Sequence, residues 1–339
     1  MGRPTDWTEP RFLADAHAWI RARLADLDVR LTGPVEQTHD RPWSTVLRVP
    51  TDRGPIFFKA SASATRHEAA IVASLAQRWP EVVPAPLAVD LEQGWMLMAD
   101  AGIRLRELVE AERDVSRWLD VLPLYAGLQA DLAGAAADFL ALGAPDLRLA
   151  VLSARFEALL DELDALDRLE AADGDDRPSV PTARPSDEMR RLRHAVPRVA
   201  AMCTELAGYR IAETIQHDDL NDGAVYARDG RYLILDWGDA CVSHPFFSMS
   251  VTLEGVIGWG VDDVQGSVDV TPFRDAYLAP FAGDRTGEEL RAACALALRL
   301  GWVCRAVNGH VSGMDAIPTW TRLRMFLDGH ARGTGPATA

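Results

Sequence analysis

Apolar residues recur with helical spacing over residues 8–28, where Phe12, Ala16, Trp19, Ile20, Leu24 and Leu27 are interleaved with Arg21, Arg23 and Asp26. That stripe predicts an amphipathic helix. The period then changes. Ser44–Val49 and Pro55–Ala60 are short apolar runs on either side of the turn sequence Thr51–Gly54, which predicts two strands of a small sheet. The polar stretch 36–43 before them is expected as a loop, and it is not glycine-rich. A second helix is predicted near Glu68, which shares one face with Ile71, Val72, Leu75 and Ala76. Val82–Val89 holds Pro84 and Pro86 and is expected as an irregular edge strand, because proline cannot donate to a central ladder. Gly94–Gly102 predicts a strand that runs into a flexible joint. Helical periodicity then dominates Leu105–Leu142, Leu149–Leu169, Glu188–Leu206, Phe246–Val256, Phe273–Leu278, Glu288–Arg305 and Trp320–Leu327. Residues 171–187 are poor in large apolar groups and are expected as a solvated, mobile loop, and 332–339 as a flexible tail.

Within this pattern, residues 213–245 carry the most chemistry. Val225–Ala227 and Tyr232–Leu235 flank Asp229-Gly230, a strong hairpin signal preceded by a predicted strand at Glu213–Gln216. Closing that hairpin brings its open ends together. One end holds His217-Asp218-Asp219-Leu220 and the other Asp236-Trp237-Gly238, so carboxylates 17 positions apart are expected to meet. Paired carboxylates beside a small sheet suit a magnesium nucleotide and a nucleophilic hydroxyl. Lys59 lies in a strongly apolar strand, where an ammonium needs a partner. The inward face of the second helix offers Glu68, and a Lys59–Glu68 ion pair is expected.

The segment from His217 to Gly238 resembles the catalytic loop and metal motif of the aminoglycoside phosphotransferase and choline kinase group, relatives of the protein kinases. The resemblance implies an α/β (α+β) class, with a bilobal protein-kinase-like fold of a small β-rich N-lobe and a large helical C-lobe. The lobes are expected at 1–99 and 100–331. It further implies that Asp219 takes or orients the acceptor's proton, that Lys59 and Glu68 position the phosphates, and that Asp236 holds Mg²⁺. Met96 and Met98 would line the base of ATP or GTP near the joint. Asp239 is a further candidate metal ligand or a cap, while His217 and Trp237 are expected to hold the loop. Asp218 replaces a glycine common in the family and is expected to face solvent. One position departs from the pattern: Ala224 stands five residues after Asp219, where an Asn would ligate metal. A methyl group offers a hard cation no oxygen. Asn221 and Asp222 carry suitable oxygens at other spacings.

Composition narrows the function without naming it. Fifty acidic against thirty-five basic residues give a net charge of -15, which argues against a nucleic-acid partner and is compatible with a cationic substrate. The chain has no run of eighteen apolar residues, and its start lacks a signal-peptide pattern, so a cytoplasmic protein without a membrane partner is expected. Cys203, Cys241, Cys294 and Cys304 show no C-x-x-C spacing and are expected as reduced packing thiols. The motifs of serine hydrolases, zinc proteases and P-loop proteins are missing. The segment after Gly238 is too short to hold a peptide in the protein-kinase manner, which favours a small-molecule acceptor such as an amine-bearing antibiotic or amino sugar. Two alternatives stand beside this O-phosphotransferase: a catalytically impaired binding or regulatory protein, motivated by Ala224, and a biosynthetic peptide Ser/Thr kinase.

Overall fold

The computed structural model describes residues 6–172 and 186–328. The expected tail at 332–339 and residues 173–185 of the expected mobile loop lie outside the described residues. In chain order the elements begin with helix α1 (Pro10–Asp26), strands β1 (Glu36–Arg41), β2 (Ser44–Thr51) and β3 (Gly54–Ser61), and helix α2 (Glu68–Arg78). Strands β4 (Ala88–Asp90), β5 (Trp95–Ala99) and β6 (Ile103–Arg104) follow, then helices α3 (Leu105–Glu112), α4 (Trp118–Asp131), α5 (Ala136–Ala141), α6 (Leu149–Ala172) and α7 (Ser186–Gly208). Next come strands β7 (Thr214–Gln216), β8 (Val225–Arg228), β9 (Arg231–Ile234) and β10 (Cys241–Ser243). Helices α8 (Thr271–Leu278), α9 (Gly287–Asn308) and α10 (Ile317–Asp328) complete the order. The chain groups into two compact units: one of Met1–Arg117, Asp138–Ala144 and Asp219–Ala240, the other of Trp118–Ala137, Pro145–Asp218 and Cys241–Ala339.

The first unit is built on an antiparallel sheet of order β1-β2-β3-β5-β4. Strand alternation sorts its residues onto two faces. Leu47, Val49, Ile56, Phe58, Ala60, Trp95 and Leu97 point one way and form a core with Ala16, Ile20 and Leu24 of α1. Phe58 is fully buried there, with Trp19 and Trp95 ring centroids at 5.7 and 5.4 Å. Burying a side chain of that size contributes about 1.5–3 kcal/mol. The opposite face carries Lys59, whose register partners are Val46 on β2 and Met96 on β5. A second sheet, β6-β8-β9, holds the hairpin expected around Asp229-Gly230, with Val225 opposite Ile234.

Two expectations in this unit are corrected. Glu36–Arg41, expected within a loop over 36–43, is an edge strand paired with β2. Its sequence is wholly polar, so the backbone ladder and polar side-chain bonds hold it, and neither leaves an apolar alternation to read. Its charges and the following Pro42 are the usual protection of an exposed edge. Of Val82–Val89, only Ala88 and Val89 belong to a strand, the short β4. The prolines break the rest, and the Val82 carbonyl instead accepts the Ile234 N–H at 2.7 Å.

The second unit is mostly helical, with β7 and β10 paired so that Gln216 lies opposite Cys241. A buried polar network fixes the end of β7. The Tyr125 hydroxyl lies 2.7 Å from the Ser248 oxygen and accepts the His217 backbone N–H at 2.8 Å, and the Ser248 hydroxyl donates to Gln216 Oε1 at 2.6 Å. A satisfied network of this kind rigidifies the segment that contains it. Residues 246–256, expected as helical, form a short 3₁₀ turn and a π-helix at Ser250–Val256. Helix α9 starts with a capping box in which Thr286 and Glu289 each satisfy the other's backbone N–H. Among the described residues no helix is long and apolar enough to cross a membrane.

Candidate active site

Lys59 leaves β3 on the face away from the core, where burial alone would strip its charge. Two carboxylates prevent this. Its Nζ donates to Glu68 Oε1 and to Asp236 Oδ1, each at 2.6 Å. Burial pulls the ammonium's pKa down, but the attraction of Asp236 and Glu68 outweighs it and raises the pKa above the usual lysine value. Glu68 is 1% exposed, and its second oxygen accepts the Ser61 hydroxyl at 2.8 Å. As the first residue of α2 it also sits where a helix favours negative charge. The structure thus joins Lys59 and Glu68, and adds Asp236 to them.

Asp236 follows β9 in a left-handed conformation, φ 64° and ψ 51°, which aspartate tolerates better than most residues. Its carboxylate stays 69% exposed. The next residues form a tight turn whose anchor is the buried Trp237, its indole N–H bonded to the Ile234 carbonyl at 3.0 Å. Asp239 ends that turn, half-buried. Gly238 packs against Glu68, and a Cβ there would lie 3.4 Å from Glu68 Oε2. The His67 imidazole beside it is held below the usual histidine pKa by burial, with the Gly238 and Ala240 backbone acting in the other direction.

The loop that leads to the hairpin is held from inside. Asp219 is half-buried. Asn221 braces the turn, accepting the Gly223 N–H at 2.8 Å and donating to the Asp219 carbonyl at 3.2 Å. Asp222 Oδ1 accepts from the Arg106 guanidinium at 2.9 and 2.8 Å. Both residues named as alternative metal ligands therefore already have work in the loop. Ala224 is buried, and its carbonyl accepts the N–H of Leu235, the residue before Asp236, at 2.8 Å. Ala224 thus lies across from the residue that precedes Asp236.

Asp218, expected to face solvent, is buried, with φ 62°. Its carboxylate accepts from Gln216 Nε2 at 3.1 Å and Asn308 Nδ2 at 2.8 Å, and Arg305 donates to its backbone carbonyl at 2.7 Å. The expectation failed because two of these partners, Arg305 and Asn308, come from α9, some ninety positions away. Asp218, Cys241 and Cys304 also bring metal-ligating atoms within 4.8 Å of one another. The amide nitrogen of Gln216 sits among them, 2.9 Å from Cys241 Sγ and 3.8 Å from Cys304 Sγ. It takes the place that a cation would need, and burial raises both thiols' pKa values and keeps them protonated.

Met96 and Met98 are buried on β5, opposite Lys59 and Phe57 of β3, so both belong to the lysine's face of the sheet. The joint after them depends on Gly102, at φ 95°, where a Cβ would meet the Ala227 carbonyl oxygen at 2.4 Å. Sequence reasoning missed Arg106, His39 and Arg41. The first is recognisable only by its contact with Asp222, and the other two lie on the strand that was expected as a loop.

Mg²⁺ is commonly held by one or two carboxylates, with waters and substrate phosphates completing its shell. Asp236 fits one such carboxylate place: it is an exposed hard-oxygen donor, with one oxygen on Lys59 Nζ, and Asp239 stands three residues on at the end of the same turn.

No protein-family profile matches the chain, and no curated protein matches it by sequence. Solved structures match it in fold. An ethanolamine kinase of Plasmodium vivax superposes with a TM-score of 0.63 at 11% identity, over 96% of this chain and 90% of that one. A choline kinase from Cryptosporidium parvum Iowa II gives 0.57 at 11% identity, over 87% and 88%. The streptomycin–ATP–APH(2")-IIa ternary complex gives 0.54 at 12% identity, over 92% and 98%. The chain therefore has the α+β, protein-kinase-like fold that choline and ethanolamine kinases share with aminoglycoside phosphotransferases.

Proposed function

We propose that this protein binds a magnesium nucleotide, ATP or GTP, and transfers its terminal phosphoryl group to a hydroxyl of a small, amine-bearing molecule. The observation that carries this reading is the Lys59–Glu68–Asp236 cluster, with both contacts at 2.6 Å. Lysine as a point charge on the phosphates, a buried glutamate that aims it and an accessible aspartate for the metal are the parts that phosphoryl transfer needs. Asp219 would accept or orient the acceptor's proton. Asp236, with Asp239, would hold Mg²⁺, whose bound charge offsets that of the phosphates. Met96 and Met98 would pack against the base. The net charge of -15 supports a cationic acceptor, and the fold neighbours are named for ethanolamine, choline and a complex with streptomycin. An aminoglycoside, another amine-bearing antibiotic or an amino sugar suits the same chemistry, acting in the cytoplasm.

A second reading, a nucleotide-binding protein without transfer, draws support from the buried Ala224 and from the prior engagement of Asn221 and Asp222. One experiment separates the two. The protein is incubated with γ-labelled ATP or GTP, Mg²⁺ and a panel of aminoglycosides, amino sugars, choline and ethanolamine. A labelled phosphate ester on at least one acceptor is expected. Nucleotide binding without transfer to any of them would favour the second reading.

A further inference from the structure

The β1–β2 hairpin forms one edge of the sheet that carries Lys59, yet it cannot work as a glycine-rich loop. Such loops hold phosphates on backbone N–H groups that approach closely because no Cβ intervenes. Here residues 36–44 contain no glycine, and Pro42 at the turn has no N–H to offer. If phosphates are held under this hairpin, side chains must hold them.

The register shows which ones. Gln37 pairs with Leu47, a core residue, and donates to the Trp7 carbonyl at 3.4 Å and to Thr45 Oγ1 at 2.9 Å. His39, two residues on, would share that face in an unbroken ladder. Instead the register shifts between them, and His39 pairs with Val46. One extra residue in a strand moves every later side chain to the other face. The bulge at Thr38 therefore turns His39 and Arg41 onto the face of Lys59. His39, Val46, Lys59 and Met96 form one row across four strands. At about 4.8 Å per strand, His39 and Lys59 stand roughly 10 Å apart at the backbone, within the reach of side chains that grip one polyphosphate.

His39 is the only residue of β1 that is not exposed. The charged groups that act on it are Arg41 on its own strand, Lys59 on β3, Arg104 on β6 and Asp236 after β9. Burial, then the Arg41 charge, holds its imidazole below the usual histidine pKa and keeps it a neutral ring with one N–H to donate. Three cations thus gather near one small face of a protein whose net charge is -15.

We propose that His39 is a phosphate contact of the nucleotide site, aimed by the bulge at Thr38 so that its ring N–H donates to a phosphate oxygen while Arg41 and Arg104 supply positive charge. This rests on the nucleotide reading above. The test measures by calorimetry the affinity of the protein for MgATP and for adenosine, comparing the wild type with His39→Phe, which keeps a ring without the donor, and His39→Gln, which keeps a donor. His39→Phe is expected to weaken MgATP by about ten- to a hundredfold, the value of one hydrogen bond to a charged group, and to leave adenosine unchanged. His39→Gln is expected to stay within about threefold of wild type for MgATP, because its amide replaces the lost donor. Wild-type MgATP affinity in His39→Phe, or an equal loss in His39→Gln, would overturn the role of His39 alone. Where the wild type takes MgGTP instead, the same comparison is made with MgGTP and guanosine; a wild-type protein that binds neither MgATP nor MgGTP would overturn the nucleotide reading and this proposal with it.

Discussion

Asp219→Asn is expected to lower turnover by about 10²- to 10⁴-fold, the usual contribution of a positioned acid or base, with MgATP affinity nearly unchanged. The expectation follows from where the residue lies. Asp219 is half-buried in the loop ahead of the hairpin and is not one of the three side chains of the Lys59–Glu68–Asp236 cluster assigned to the phosphates. Asparagine keeps the shape of the side chain but cannot accept a proton at neutral pH. The loop survives the change, because the bonds that brace it run from Asn221 to the Asp219 carbonyl and the Gly223 N–H, and from Arg106 to Asp222. A kcat loss with little change in Kd, measured by steady-state kinetics alongside calorimetry, is the expected pattern. Full turnover in Asp219→Asn would remove the assigned role.

The second large effect is on stability as well as activity. Lys59→Met leaves Glu68, 1% exposed, without its cation, and breaking a buried pair in this way costs about 3–5 kcal/mol. The Asp236 arm contributes far less, because that carboxylate is 69% exposed and water screens it. The double variant Lys59→Met/Glu68→Met is expected to recover most of the stability, since an apolar pair of similar volume often replaces a buried ion pair at little cost. Neither nucleotide affinity nor turnover is expected to return. Urea denaturation of the two variants checks the stability prediction. If the double variant were as unstable as the single one, the loss would not come from the abandoned carboxylate. The deficit of the double variant, which has lost the carboxylate as well, is also expected to be flat in pH. A folded-state Lys59 pKa raised above the unfolded value of about 10.4 gives stability that is fully present below the unfolded pKa and fades only as pH rises through the folded one, so the difference between wild type and Lys59→Met/Glu68→Met should match at pH 6 and pH 9.

Local chemistry explains what could be read in advance. Asp229-Gly230 between apolar runs specified its hairpin without help from the rest of the chain, and the ladder carried Asp236 to the end of β9. Lys59 was legible because an ammonium in an apolar strand demands a partner, and Glu68 because helical periodicity turned it inward. Features that depend on distant packing were not legible. β1 is polar along its whole length, and a one-residue bulge decides which way His39 points. Asp218 looked solvent-facing because Arg305 and Asn308, which bind it, come from a helix far along the chain. The compact units are likewise discontinuous in sequence, with Asp219–Ala240 joining the N-terminal residues.

The central claim is that Lys59, Glu68 and Asp236 form a metal–nucleotide site although position 224 offers no oxygen. Thermal unfolding with ATP or GTP, with and without Mg²⁺, tests it most directly, since a ligand that binds only the folded state raises Tm by mass action. The expected result is a Tm increase with at least one nucleotide that requires Mg²⁺ and disappears in Asp236→Asn. No increase with either nucleotide, or an increase indifferent to Mg²⁺ and to Asp236, would contradict it.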